Sequence, residues 1–327
     1  MMQSMTRRHF LNRAGQLGAA AVMAGPVGQC VLAAEKESRT TWPVTCRDAM
    51  LRLTGAKDCW SALRAVGAEG VEAVINEELA LPGLFHPDVN YSAATADGLQ
   101  RLAADAKAAG QRITALCMAN RFEERPDAEL AWCRKAAEAA KTLGAPAIRI
   151  DVVPRKLAGD EFLKAAVEIL RKVMAETEAT GVRFAIENHG NTTNKPEFLA
   201  ALFDGVGSKR LGLTLDTGNF YWFGHPLSKL YGIYEQFAPR AFHTHCKSIH
   251  YPEADRERQR PMGYKYGEYH GPIYEGDINF RRVIDILRKA GYKNDLCVEN
   301  ESLGKKSPEE VVKILAKEVE FLKKLAA

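Results

Sequence analysis

The chain has 327 residues, 46% of them hydrophobic and 26% charged, the balance of a soluble globular protein with ample core. Its formal net charge is +4, but residues 1–34 hold Arg7, Arg8 and Arg13 and no acid, leaving 42 basic against 41 acidic residues beyond them. A body this close to neutral excludes an electrostatic case for nucleic acid as a partner.

The chain begins with a targeting pattern. Thr6-Arg7-Arg8-His9-Phe10-Leu11 reads as a twin-arginine signal, followed by the small-residue apolar run Leu17 to Val27 and by Ala33-Ala34 near a cleavage site. Residues 1–34 are thus expected to be a removed Tat signal and residues 35–327 one domain, periplasmic or otherwise exported. The apolar run is too short and too alanine-rich for a membrane span, so none is expected in the mature protein. Cys30 follows Val27-Gly28-Gln29, a poor lipobox. The seven cysteines form no CxxC pair and no disulfide framework. Most of Cys46, Cys59, Cys117, Cys133, Cys246 and Cys297 sit inside apolar runs and read as small core residues.

From residue 42 onward short apolar runs alternate with amphipathic stretches. Strands are expected at 44–47, 71–76, 113–119, 147–153, 183–189, 211–217, 241–247 and 296–301. Helices are expected at 58–66, 94–109, 128–143, 161–180, 196–203, 227–237, 280–290 and 308–325. Gly110, Gly181 and Gly291 each close a helix just before a strand, and Ser307-Pro308-Glu309-Glu310 opens the last helix as a capping box. Eight strands alternating with eight helices is the count of a closed (β/α)8 barrel. An open doubly wound sheet is the runner-up, weakened because no G-x-G-x-x-G follows the first strand.

The later strands carry the chemistry. In 183–189, Phe184 and Ile186 oppose Ala185, Glu187 and His189; in 211–217, Leu211, Leu213 and Leu215 oppose Gly212, Thr214 and Asp216. In 241–247, Phe242, Thr244 and Cys246 oppose Ala241, His243, His245 and Lys247; in 296–301, Leu296 and Val298 oppose Cys297, Glu299 and Glu301. In a barrel the apolar sets face the helices and the others face the interior. Glu187, Asp216, His245 and Glu299 fall at the C-terminal strand ends, where barrel active sites lie. Three carboxylates converging on one mouth repel one another unless a cation sits among them. With one imidazole they form a hard, oxygen-rich set that suits Mn²⁺, Mg²⁺ or a similar ion better than a structural zinc. Unrelated salt-bridged carboxylates are the other reading of the same strands.

The segments Ile186-Glu187-Asn188-His189, Leu215-Asp216-Thr217-Gly218-Asn219, His243-Thr244-His245-Cys246-Lys247 and Val298-Glu299-Asn300 resemble the metal-binding strands of the xylose-isomerase-like sugar isomerase/epimerase family. Gly276-Asp277-Ile278-Asn279-Phe280 resembles that family's run before its last strand, and Gly70-Val71-Glu72 its second strand. The resemblance implies a TIM barrel in which Glu187, Asp216, His245 and Glu299 ligate one divalent ion, Mn²⁺ foremost, with Mg²⁺, Co²⁺ or Zn²⁺ as other occupants. It further implies that Glu187 and Glu299 serve as acid and base. Strands five and eight stand ~135° apart around an eight-stranded mouth, so the two carboxylates can approach a sugar carbon from opposite faces.

The implied reaction is isomerisation or epimerisation of a keto-sugar through a metal-stabilised enediolate. The same centre serves a lyase or dehydratase acting on a 3-keto-glycoside or inosose, if the substrate carries a leaving group at the β-carbon. A sugar-binding protein without catalysis is the reading from another class. Export favours an unphosphorylated substrate, and Gly304-Lys305-Lys306 reads more simply as an exposed turn than as a phosphate cradle.

His189 and Lys247 follow Glu187 and His245 on the same inward side and are candidate substrate contacts, as is Asn219, where some epimerases carry a substrate-binding His. The family often has an acid after this lysine; here it is Ser248. His243 lies deeper and reads equally as a hydrogen-bonded core histidine, while Glu72 is expected to pair with Arg149 or Asp151 inside the barrel. The long loop 250–275, rich in tyrosine, suits a lid over the mouth or a subunit contact in a homo-oligomer, and Tyr221-Trp222-Phe223 suits another wall.

Overall fold

The computed structural model describes residues 42–327. The expected twin-arginine signal at 1–34 and the expected domain boundary at residue 35 lie outside the described residues.

Eight parallel strands close into a barrel: β1 (Val44–Arg47), β2 (Gly70–Val74), β3 (Arg112–Met118), β4 (Ala147–Ile150), β5 (Arg183–Glu187), β6 (Leu211–Asp216), β7 (Ala241–Cys246) and β8 (Leu296–Val298). Each pairs with the next, and β8 closes the ring on β1 through Val44 opposite Leu296. The helices α1 (Cys59–Val66), α2 (Ala96–Ala108), α3 (Pro126–Leu143), α4 (Gly159–Glu176), α5 (Pro196–Val206), α6 (Leu227–Phe237), α7 (Phe280–Lys289) and α8 (Pro308–Ala326) follow the strands in turn. The closed barrel forms, and the open doubly wound sheet does not. Gly110, Gly181 and Gly291 hold φ of +68°, +70° and +75°, the left-handed conformation that ends a helix. The capping box at Ser307 and Glu310 is formed.

Several strands end earlier than alternation suggests, and β5 shows the reason. The Asn188 side chain takes over the ladder, accepting from the Asp216 amide at 2.9 Å and donating to the Asp216 carbonyl at 3.0 Å. A side-chain amide thus replaces a backbone pair, and the following residues turn out over the mouth.

Two irregularities interrupt the ladders, and the second corrects an expected facing. The β2–β3 register slips past Thr114, and the β6–β7 register slips past Phe242. Bulges of this kind re-aim the extra residue. Phe242 was expected to face the helices; it points into the barrel, packing on Ala147 and Ala185 beneath the guanidinium of Arg183, 4.6 Å from its ring. Gly212 makes room for it, since a Cβ there would lie 2.5 Å from the Phe242 ring. The N-terminal end of the barrel is thereby plugged by an aromatic side chain.

The loop after β6 carries the short helix Asn219–Phe223. After β7 an antiparallel ribbon pairs Ser248–Ile249 with His270–Gly271, and the segment between holds short helices at Glu253–Arg256 and Tyr266–Tyr269. Arg260 anchors this excursion, its guanidinium 4.5 Å from the Tyr221 ring and 4.4 Å from the Tyr251 ring, with bonds to the Tyr221 and His225 carbonyls. Tyr251 is fully buried, so it is not a subunit contact. Cys46, Cys59, Cys117, Cys133, Cys246 and Cys297 are buried and unpaired. No helix among the described residues is long and apolar enough to cross a membrane.

Candidate metal centre and active site

Glu187 and Asp216 are the last residues of β5 and β6, His245 is the penultimate residue of β7, and Glu299 directly follows β8. Asp216 stands opposite His245 in the β6–β7 ladder, and the Glu299 amide bonds the Cys246 carbonyl at 3.2 Å. The four side chains are buried, and one donor atom from each falls within 4.8 Å of the other three. The structure therefore brings together the set expected from alternation.

Each of the four has one donor tied off and the other turned to the centre. Glu187 gives Oε2 to the guanidinium of Arg149, while its Oε1 lies 2.9 Å from His245 Nδ1. Glu299 gives Oε1 to Arg47 and leaves Oε2 3.4 Å from His245 Nδ1. Asp216 Oδ1 accepts from the amides of Gly218 and Asn219 at 2.7 and 2.8 Å, and its Oδ2 faces inward. His245 engages Glu72 Oε2 through Nε2 at 2.9 Å. Asp216 Oδ2 and Glu299 Oε2 are buried without a hydrogen bond; Lys247 Nζ lies 2.9 Å from both, an ionic contact lacking hydrogen-bond alignment. Buried carboxylate oxygens left in this state are costly. Three converging oxygens and one imidazole nitrogen fit a divalent cation.

The titrating groups of the set are strongly interdependent. Burial by itself pushes Glu299 up, but the Lys247 ammonium, His245 and Arg47 outweigh it and hold the carboxyl well below its usual range. Asp216 is raised, by burial first, with Lys247 opposing and Glu299 adding to the rise. Burial would lower His245, yet Glu72 and then Glu299 lift it above the ordinary histidine value.

Above the four residues lies a cleft of about 450 Å³, whose lining includes Arg47, Arg149, His189, Asn219, Trp222 and Tyr266. His189 is half-exposed at its rim, with Nδ1 3.2 Å from Asp151 Oδ1. Asn219 is buried and donates to Glu187 Oε1 at 3.3 Å, and Lys247 bridges Asp216 and Glu299 and reaches Glu301 Oε2 at 3.4 Å. All three expected substrate contacts line this cleft. Of the loop 250–275, Tyr266 forms part of its wall and bonds Glu301 through its hydroxyl.

The expected partner of Glu72 is corrected. Arg149 pairs with Asp151 at 2.8 Å and with Glu187, whereas Glu72 faces His245, His243 and Arg47. The reason is position: Arg149 lies near the C-terminal end of β4, while Glu72 sits deeper and meets β7 across the interior. Arg47 escaped sequence reading altogether. A lone arginine closing a four-residue strand carries no motif, and only its place at a strand's C-terminal end marked it.

A candidate metal-ligand set at the mouth of a (β/α)8 barrel defines the class. Residues 60–325 match the family described as xylose isomerase-like TIM barrel, and the chain belongs to that family. It is 26% identical over 124 residues to an inosose dehydratase of Klebsiella pneumoniae, covering 37% of this chain and 42% of that protein. The chain spans less than half the length of the curated relatives it matches, 45% and 42% for the first two. Among solved structures it superposes on a xylose isomerase-like TIM barrel protein from Mycobacterium smegmatis in complex with magnesium. That match has a TM-score of 0.64 and 16% identity, covering 88% of this chain and 98% of that one. An L-ribulose 3-epimerase superposes with a TM-score of 0.62 and 15% identity, covering 87% of this chain and 95% of that one. The proteins it resembles thus include one named as a dehydratase and one named as an epimerase.

Proposed function

We propose that the protein is a divalent-metal-dependent isomerase or epimerase of an unphosphorylated keto-sugar, exported through the Tat pathway, with Glu187 and Glu299 as acid and base. The observation that carries this reading is the convergence of Glu187, Asp216, His245 and Glu299 within 4.8 Å beneath a cleft of small-molecule size. The names of the relatives, a dehydratase of inosose and a 3-epimerase of L-ribulose, support a sugar-like substrate.

A divalent ion, Mn²⁺ favoured by the oxygen-rich donors, supplies Lewis acidity for charge developing on a substrate oxygen. One of the two glutamates takes the proton from the carbon beside the carbonyl, and the other returns one. A carboxylate oxygen has two lone pairs, so the guanidinium contacts of Arg149 and Arg47 leave room for that proton. Lys247, Arg47 and Arg149 place positive charge around the enediolate that proton loss creates. His189 and Asn219 are positioned to bind sugar hydroxyls, and Trp222 and Tyr266 restrict water. Return of the proton to the opposite face inverts a centre; return to the neighbouring carbon moves the carbonyl.

One observation favours a second reading, the lyase or dehydratase. Glu301 also lines an adjoining cavity of about 690 Å³ with Tyr269, His270 and Lys305, room for a group leaving from the β-carbon. Incubation with keto-sugars and keto-glycosides in D₂O separates the readings. Deuterium in recovered sugar supports the first, and release of an aglycone or water supports the second. A metal-loaded protein that does neither is a sugar-binding protein, and both enzymatic readings fall.

A further inference from the structure

We propose that Glu72 is a positioning residue that fixes which nitrogen of His245 meets the metal and thereby sets the affinity of the centre. The inference rests on the metal reading of the four-residue set, and the experiment below separates the two.

A file of buried polar groups crosses the barrel interior below the mouth. Asp295, just ahead of β8, accepts from Thr45 and Thr114 at 2.6 Å each through Oδ2 and faces His243 Nδ1 at 2.7 Å through Oδ1. His243 Nε2 stands 3.5 Å from Glu72 Oε1, and neither atom has another hydrogen-bond partner. Glu72 Oε2 then meets His245 Nε2 at 2.9 Å. Glu72, His243, His245 and Asp295 are all fully buried. Barrel interiors are ordinarily filled by branched apolar side chains, and burying two carboxylates and two imidazoles instead carries a heavy desolvation cost.

The arrangement has a directional consequence. A carboxylate offers only acceptors, so Nε2 of His245 must present its proton to Glu72. Nδ1 is then the nitrogen that faces Glu187, Asp216 and Glu299, and its lone pair is the one available to a cation held among them. A histidine ligates through the nitrogen that lacks the proton, and its other nitrogen's hydrogen bond decides which that is. Glu72 reaches a second member of the set as well, since Arg47 Nε lies 3.5 Å from its Oε2 while the same guanidinium binds Glu299. The inward bulge at Thr114 belongs to this construction, because it delivers one of the two hydroxyls that hold Asp295.

Glutamine keeps one acceptor and gains one donor, so it still holds the His245 proton when its oxygen faces that ring and its nitrogen faces His243 Nε2, whose other nitrogen is engaged by Asp295. Leucine removes both acceptors, and the imidazole proton is then free to move to Nδ1, where it blocks the ligand.

The test uses the full chain loaded with Zn²⁺, a diamagnetic probe, and competition with a chelator of known affinity. Glu72→Leu is expected to weaken zinc binding ~10–100-fold, and Asp295→Asn to weaken it less but in the same direction. In zinc-loaded wild type, long-range ¹H–¹⁵N correlations should find the His245 proton on Nε2. A purely structural role would lower thermal stability and leave the affinity of the folded protein unchanged. Affinity within about twofold of wild type in folded Glu72→Leu overturns the inference, as does a zinc-bound Nε2 with the proton on Nδ1. If Glu72→Leu does not fold, the Asp295→Asn affinity and the wild-type spectrum carry the same two tests. Failure of wild type to bind zinc at all overturns the metal reading itself, and this inference with it.

Discussion

The guanidinium of Arg149 closes on Oε2 of Glu187, so the carboxylate proposed as acid or base is held by its outer oxygen and presents the inner one to the centre. Arg149 also donates to Asp151 Oδ2 at 2.8 Å and to the Met118 carbonyl at 3.1 Å, which fixes its planar fork. Lysine keeps the charge but lacks the fork. Arg149→Lys is therefore expected to lower kcat by ~10–100-fold while the metal content stays at the wild-type level. Steady-state kinetics beside elemental analysis check both halves; unchanged kcat removes the orienting role.

The converging donors also predict stoichiometry. Purified protein should contain about one divalent metal per chain, and chelation should abolish turnover, with Mn²⁺ restoring it. Asp216→Asn removes an inward oxygen or replaces it by a donor, and should weaken metal binding at least ~10-fold. A folded, active protein without metal would defeat the assignment of the centre.

The acid and base can be separated by isotope exchange. Glu187→Gln and Glu299→Gln should each lower turnover by at least ~10²-fold, because an amide cannot accept the substrate proton. The variant that keeps the proton-abstracting glutamate should still exchange substrate hydrogen with D₂O without forming product. Normal activity in either variant takes that residue out of the proton transfer.

Glu318, on the helix side of the strands, makes the barrel sensitive to pH. It is fully buried on α8, accepts from the Ile273 amide at 2.9 Å, and is pushed from 4.5 up to about 7, chiefly by burial with the amide opposing. A carboxyl raised in the folded state binds more protons there than when unfolded, so stability falls as pH rises. The contribution is complete below the unfolded value of 4.5 and is lost as pH passes through about 7. The shift corresponds to ~3 kcal/mol. Urea denaturation from pH 4.5 to 8 should show this slope in the wild type, and Glu318→Gln should flatten it; an equal slope in both assigns the pH dependence elsewhere.

Much of the barrel could be read from the chain because its punctuation is local. Gly110, Gly181 and Gly291 end helices for a backbone reason, and the leucines of β6 alternate with Gly212, Thr214 and Asp216 as a strand covered by helices requires. The four central donors were legible for the same reason, each falling at the end of such a strand. Register was not. A period-two reading assumes that no residue is inserted, so the slip at Phe242 sent its side chain to the wrong face. Glu72 was given the wrong partners because its contacts to His243 and His245 lie across the interior, at a depth that stagger decides. Arg47 was missed because a single long side chain at a strand end looks like any solvated arginine until the barrel closes.

Gly212 and Phe242 share one space. A Cβ at Gly212 would lie 2.2 Å from the Arg240 carbonyl oxygen as well as 2.5 Å from the aromatic ring, so the glycine is required by backbone and side chain alike. The two constraints are separable. Trimming Phe242 relieves only the ring, and a side chain at Gly212 stays excluded by the Arg240 carbonyl, so no repacking of the aromatic layer alone opens that position to another residue.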